Sequence, residues 1–116
     1  MESYPQCGEI YLVKIPNKPS DAKERPALIV SMDIRNKLAG DVIAIPLTTN
    51  LRPAPTHIFL KKGDGGVRQD SMAKCEQITT LDKSLLLRGP FAGKVTEGLM
   101  KEIHQGILNA LGIHKK

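Results

Sequence analysis

A chain of 116 residues with 41% hydrophobic and 25% charged residues has the balance of a folded globular protein, which excludes fibrous and disordered classes. That length supports one core, so a single domain spanning 1–116 is expected. Seventeen basic against twelve acidic residues leave a charge of +5, which favours polyanionic partners, while two Phe, two Tyr and no Trp leave little on which bases could stack.

At the N-terminus, MESYPQCGEIYLV lacks the basic-then-apolar order of an export signal. The longest apolar runs, Ala27 to Val30 and Val42 to Leu47, fall far short of the roughly 18 to 20 residues of a membrane span. A cytoplasmic protein with no membrane association is expected. Cys7 and Cys75 have no CxxC spacing, so neither a disulfide scaffold nor a zinc site is expected.

In chain order, GEIYLVKI (8–15) reads as a strand, and PNKPSDAKE (16–24), with two prolines and no periodicity, as an exposed loop leading to Arg25. RPALIVSM (25–32) and DVIAIPLTT (41–49) read as short apolar strands with DIRNKLAG as a turn between them. Pro46 cannot donate to a ladder, which predicts a strand edge or bulge there and a bend near Thr48. After an exposed loop at NLRPAP (50–55), THIFLKK (56–62) alternates and KGDGG (62–66) turns it into a hairpin. VRQDSMAKCEQI (67–78) predicts one or two short strands, TLDKSLLL (80–87) a turn or helical turn, and RGPFAGKV (88–95) a further strand. Such spacing is that of a small barrel or sandwich.

The last segment changes period. Leu99, Met100, Ile103, Ile107, Leu108 and Leu111 recur every three or four residues and predict one apolar helix face. Thr96 is the expected N-cap, Glu97 suits the positive end of the helix, and Gly112 suits the other end; Gly98 and Gly106 weaken the pattern.

Taken in order, the blocks RPALIVS, PLTT and DSMAKCEQITTLDK, followed by a terminal helix, resemble the MazF/PemK (Kid) family of toxins from type II toxin–antitoxin systems, over about residues 8 to 112. The resemblance implies a mainly β fold, a small SH3-like (PemK/CcdB-like) barrel with a C-terminal α-helix, assembled as a homodimer. It implies a sequence-specific endoribonuclease (mRNA interferase) acting on single-stranded RNA without a metal or other cofactor. Cleavage by the ribose 2′-hydroxyl would leave a 2′,3′-cyclic phosphate and a 5′-hydroxyl, and a cognate acidic antitoxin would restrain the toxin.

The same resemblance places the family's catalytic arginine at Arg25 and its catalytic threonine at Thr48. The chemistry suits those residue types. Without a metal, a phosphorane carrying extra negative charge needs fixed donors around it, and a guanidinium presents a rigid fork to two phosphate oxygens. Arginine surrenders a proton reluctantly, which favours a clamp over a general acid. No histidine or lysine stands next to Thr48 in sequence, so its hydroxyl reads as a donor rather than a nucleophile. Glu76, Glu24 and His57 are the candidate general bases, and Glu76 occupies a position that family members use either as base or to read RNA. Substrate reading is expected from Thr49, Asn50, His57, Arg68, Glu76 and Gln77, whose donors and acceptors suit exposed base edges. The chain lacks the Ser-Glu-Gln run that many members carry before their arginine.

Each feature has a plainer reading. An arginine before a strand is ordinarily a solvated charge, and a threonine at a strand end is ordinarily a β-former. His57 fits a packed core position, Glu76 and Gln77 fit pairing with nearby cations, and His104 and His114 fit the surface. KGDGGVRQD lacks the strand-Gly-helix context of a phosphate loop. Two other functions compete: a CcdB-like gyrase-binding toxin, and a non-catalytic nucleic-acid-binding SH3-like module. The first relies on a large aromatic near the C-terminus, where this chain reads LGIHKK.

Overall fold

The structure, a computed structural model, describes residues 3–15 and 24–113. The loop expected at 16–24 therefore lies outside the described residues, apart from Glu24, and so does His114. Strands β1 (Ile10–Val13), β2 (Arg25–Ile29), β3 (Asp41–Thr48), β4 (His57–Leu60), β5 (Ser71–Lys74), β6 (Thr79–Asp82) and β7 (Leu86–Arg88) are joined by a short helix α1 (Asp33–Leu38) and closed by α2 (Glu97–Ala110). Single 3₁₀ turns occupy Asp64–Gly66, Cys75–Gln77 and Lys83–Leu85.

All pairing is antiparallel, in the order β4-β5-β3-β2-β1-β7, with β6 added to β3. Among the described residues the outer strands β4 and β7 do not pair, so the barrel-like sheet stays open. β3 is the hub. One edge faces β2 through Ala44–Ile29, Ile45–Leu28 and Pro46–Ala27. The other faces β6 from Asp41–Asp82 to Ala44–Thr79, then switches to β5 at Leu47–Ala73 and Thr48–Met72.

This switch explains how a buried proline sits inside a central strand. The carbonyl of Ile43 accepts from the Val30 N–H, so Ile43, and by alternation Ile45 and Leu47, point their backbone groups toward β2. Pro46 points to the other edge, where β6 has ended and β5 has not begun, and where no ladder bond needs its missing N–H. The expectation of an edge or bulge thus becomes a change of partner.

The sheet buries both faces. Ile10, Leu28, Ile45, Leu47, Leu60 and Ala73 lie under α2 with Leu99 and Ile103. Val13, Ala27, Ile29, Val42, Ala44 and Leu81 form a second cluster. Burying one Leu or Ile contributes about 1.5–3 kcal/mol, so the two clusters together dominate the folding energy.

Four expectations are corrected. TLDKSLLL (80–87) is not only a turn: it carries most of β6 and the start of β7 on either side of the 3₁₀ turn Lys83–Leu85. DIRNKLAG is not a plain turn: it forms α1, because Arg35 binds the Asp41 carboxylate at 2.6 Å and Asp33 accepts from the Cys7 N–H at 2.7 Å. Buried Asn36, hydrogen-bonded to Ser31, closes the same segment. RGPFAGKV (88–95) contains no strand beyond Arg88, since Gly89 takes φ +152° and a Cβ there would lie 2.6 Å from the Tyr11 ring. The apolar stripe of α2 runs out early: Leu99 and Ile103 are buried, whereas Leu111 is 62% exposed.

Two features of α2 are as expected or better. Thr96 caps it, its hydroxyl accepting from the Leu99 N–H at 3.2 Å. Gly106, which weakened the sequence pattern, is a packing requirement, because a Cβ would lie 2.7 Å from Cys75 Sγ and 3.0 Å from Ile58 Cγ1. The helix therefore rests directly on the turn Cys75–Gln77.

Candidate active site

At the break in β3's pairing the surface opens into a groove of about 370 Å³, lined by Ile15, Arg25, Pro46, Leu47, Thr48, Lys74, Gln77 and Thr79. Each polar group arrives from a different element. Arg25 opens β2, where it pairs with Val13 of β1. The β2–β3 ladder ends at Ala27–Pro46, and continuing its register by two residues sets Arg25 opposite Thr48. Side chains two apart share a face, so Arg25 follows Ala27 and Thr48 follows Pro46 onto the same side of the sheet. Lys74 ends β5 and Gln77 ends the following 3₁₀ turn, flanking Pro46 where the strand partner changes.

Among the described residues, the lining side chains supply two cations, two hydroxyls and an amide, with no carboxylate or imidazole. Such a set attracts an anion and offers it donors from several directions. The hydroxyl of Thr48 is already oriented: its oxygen accepts from the Asn50 N–H at 3.1 Å, which leaves the O–H proton to donate elsewhere.

Beside the groove lies a polar cluster. His57, with a side chain 10% exposed, places Nδ1 at 2.8 Å from the Arg52 carbonyl and Nε2 at 3.0 Å from Glu76 Oε2. Thr56 donates to the other Glu76 oxygen at 2.8 Å. Both His57 nitrogens thus face atoms that only accept, so the ring satisfies both only as an imidazolium. The Arg52 carbonyl first, and Glu76 second, raise the His57 pKa above its ordinary 6.5. Burial raises that of Glu76, but the hydrogen bonds from His57 and Thr56 outweigh it and bring the carboxyl below its ordinary 4.5.

The other expected residues divide. Thr49 and Asn50 are exposed on the loop after β3, and Glu24 is exposed one residue before Arg25. Gln77 lines the groove, whereas Glu76 and His57 are engaged with one another next to it. Arg68 stands apart, with Arg88 and Phe91 in a separate cavity of about 270 Å³. Lys74 and Thr79 line the groove without having been anticipated, since their place depends on where β5 stops and β6 starts, which local residue types do not announce. Among the described residues, no three His, Cys, Asp or Glu side chains converge on a possible metal position, and no helix is long and apolar enough to cross a membrane. Cys7 and Cys75 are free thiols, the latter pushed up to about 11 by burial.

A family model described as PemK-like, MazF-like toxin of type II toxin–antitoxin system matches residues 6–111. The protein named Endoribonuclease MazF from Staphylococcus saprophyticus is 32% identical over 113 residues, covering 92% of this chain and 91% of its own. Endoribonuclease MazF4 from Mycobacterium tuberculosis is 37% identical over 92 residues, covering 77% of this chain and 80% of its own. Among solved structures, a mycobacterial endoribonuclease in complex with its cognate antitoxin superposes with a TM-score of 0.80 at 29% identity, over 97% of this chain and 99% of that one.

Proposed function

Because the chain belongs to the family of PemK-like, MazF-like toxins of type II toxin–antitoxin systems, we propose that it is an endoribonuclease that cuts single-stranded RNA, mRNA included, in the groove between Arg25 and Thr48. The observation that supports this reading is that the register sets those two side chains on one face of neighbouring strands, in a groove that Lys74 and Gln77 also line.

The chemistry follows from that arrangement. The ribose 2′-oxygen attacks the adjacent phosphorus, the bond to the 5′-oxygen breaks, and the products are a 2′,3′-cyclic phosphate and a 5′-hydroxyl. Charge builds on the non-bridging oxygens at the crowded intermediate stage. Arg25 clamps them with its fork while Thr48 donates its remaining hydroxyl proton, and Lys74 adds a positive field. One proton must leave the 2′-hydroxyl, and one must reach the departing 5′-oxygen. Of the candidate bases, Glu76 and His57 hold one another, so we assign the first transfer to Glu24, exposed and next to Arg25. Thr49, Asn50 and Gln77 are then the groups placed to read bases at the groove.

The same reading assigns a cognate acidic antitoxin as the partner that covers the cationic groove, a homodimer as the working assembly, and the cytoplasm as the place where both meet mRNA. The resemblance to a mycobacterial endoribonuclease held by its antitoxin supports the first of these.

The test is a purified Arg25→Ala variant incubated with a long natural RNA in chelator, with 5′-hydroxyl ends mapped. Loss of about a hundredfold to a thousandfold in kcat is expected, the usual effect of deleting one fixed donor. Wild-type cleavage by a variant with native circular dichroism would remove Arg25 from the chemistry.

A further inference from the structure

The two sides of the groove are built differently. Arg25 and Thr48 stand on paired strands, but Thr48 continues into the loop 49–55, and Gln77 sits on the turn Cys75–Gln77, which α2 supports from beneath. A run of hydrogen bonds connects these two irregular segments. The Asn50 N–H donates to Thr48 Oγ1, the Arg52 N–H to Asn50 Oδ1 at 3.3 Å, and His57 Nδ1 to the Arg52 carbonyl at 2.8 Å. On its other side His57 Nε2 meets Glu76 Oε2 at 3.0 Å, and Glu76 precedes Gln77 in the turn.

We propose that His57 is a positioning residue: its imidazolium ring bridges the loop after Thr48 to the Gln77 turn and so sets where the irregular wall of the groove stands against Thr48, without touching the substrate itself. The inference rests on the reading that Thr48 faces the phosphate being cut.

Geometry requires the charged ring for this task. A neutral imidazole has one N–H, and the bridge has two acceptors, so losing the proton releases one of its ends. The Arg52 carbonyl and the ionised Glu76 oxygen both accept only, so with one proton left the ring keeps one contact and opens the other. Other groups confirm that the bridge is local. From β5, Lys74 is the register partner of His57 and opposes its charge; from the turn, Glu76 favours it; from α2, Asn109 reaches this loop by donating to the Pro55 carbonyl at 3.0 Å. Thr56 completes Glu76, whose two oxygens are then both occupied. Such an arrangement is a latch on the loop side of the groove, closed when His57 carries its proton.

Its test uses wild type, His57→Gln and Glu76→Gln. The glutamine at 57 can serve one acceptor but not both, at every pH. The ratio of wild-type to His57→Gln kcat is followed from pH 5.5 to pH 9, because a ratio cancels the intrinsic pH dependence of the chemistry. A ratio of roughly tenfold to a hundredfold is expected at the acid end, the scale of an ångström's misplacement, falling toward one as wild-type His57 loses its proton. The loss should appear in kcat more than in KM. A ratio that stays constant marks a structural role only, and a ratio of one throughout marks no role; either overturns the proposal. Independently of activity, NMR titration of the His57 Cε1–H should give a midpoint above 6.5 in wild type and a lower one in Glu76→Gln. A wild-type midpoint at or below 6.5 also overturns it. Should wild type cut no RNA at all, the reading of the groove fails, while the titration still reports on the latch.

Discussion

The groove has one wall that continues the β2–β3 ladder and another held by hydrogen bonds between irregular segments, and the contrast bears on how the proposed reaction and recognition are divided. Arg25 and Thr48 inherit their positions from strands that bury Ala27, Ile29, Ala44 and Ile45 completely on the two faces of the sheet. Gln77 and the loop 49–55 inherit theirs from Glu76, His57, Thr56 and Asn109, each bond contributing about 0.5–1.5 kcal/mol. On the proposed reading, charge stabilisation, which tolerates little misplacement, falls to the ladder wall. On the same reading, base recognition falls to the loop wall, a kind of segment that tolerates change without disturbing the ladder.

Three changes sharpen the comparison, beginning with the largest. Gly106→Ala places a methyl where Cys75 Sγ would be 2.7 Å away, against a thiol that is itself fully buried. Overpacking of this kind costs about 1–3 kcal/mol, so the melting temperature should drop by several degrees, and backbone amide shifts should concentrate in 75–77 and 58 rather than in β2. Uniform shifts across both walls would mean that they are one mechanical unit.

Thr48→Val acts on the opposite wall and keeps the β-branched shape. It removes the acceptor of the Asn50 N–H and the donor to substrate together. A neutral hydrogen bond of about 1.4 kcal/mol corresponds to roughly tenfold in kcat, so the loss should be visibly smaller than that of Arg25→Ala. An equal loss in the two variants would assign Thr48 more than a donor's part.

The smallest effect is on stability as pH changes. His57 has a folded pKa raised above 6.5, so its contribution is complete below that value and disappears as pH rises through the folded pKa. Glu76 has a folded pKa lowered below 4.5, so its contribution is complete above that value and disappears as pH falls through the folded pKa. Wild-type thermal stability should therefore show a plateau between those limits and decline on either side. His57→Gln should lack the alkaline decline, which calorimetry across the series will measure.

Much of this molecule is legible one residue at a time. Periods of two and three to four, together with Gly, Pro and the Thr96 cap, mark five of the strands, β1 to β5, and the terminal helix, because those features answer to local sterics and to burial on one face. The blocks RPALIVS and PLTT bring Arg25 and Thr48 to notice as a pair only through their resemblance to a known family. Where reading failed, distant contacts had decided: α1 exists because Arg35 reaches Asp41 and Asp33 reaches Cys7, and no strand extends beyond Arg88 because the ring of Tyr11 fills the space beside Gly89.

By itself the chain determined β1 to β5 and α2, since each depends on propensity and alternation within a few positions, while the resemblance of its blocks to a known family singled out Arg25 and Thr48. Only tertiary structure decided that Pro46 marks a change of strand partner, that Lys74 enters the groove, that Arg68 does not, and that His57 faces two acceptors at once. Those outcomes depend on which edge of β3 each neighbour occupies and where it stops, a matter of packing between segments far apart in sequence.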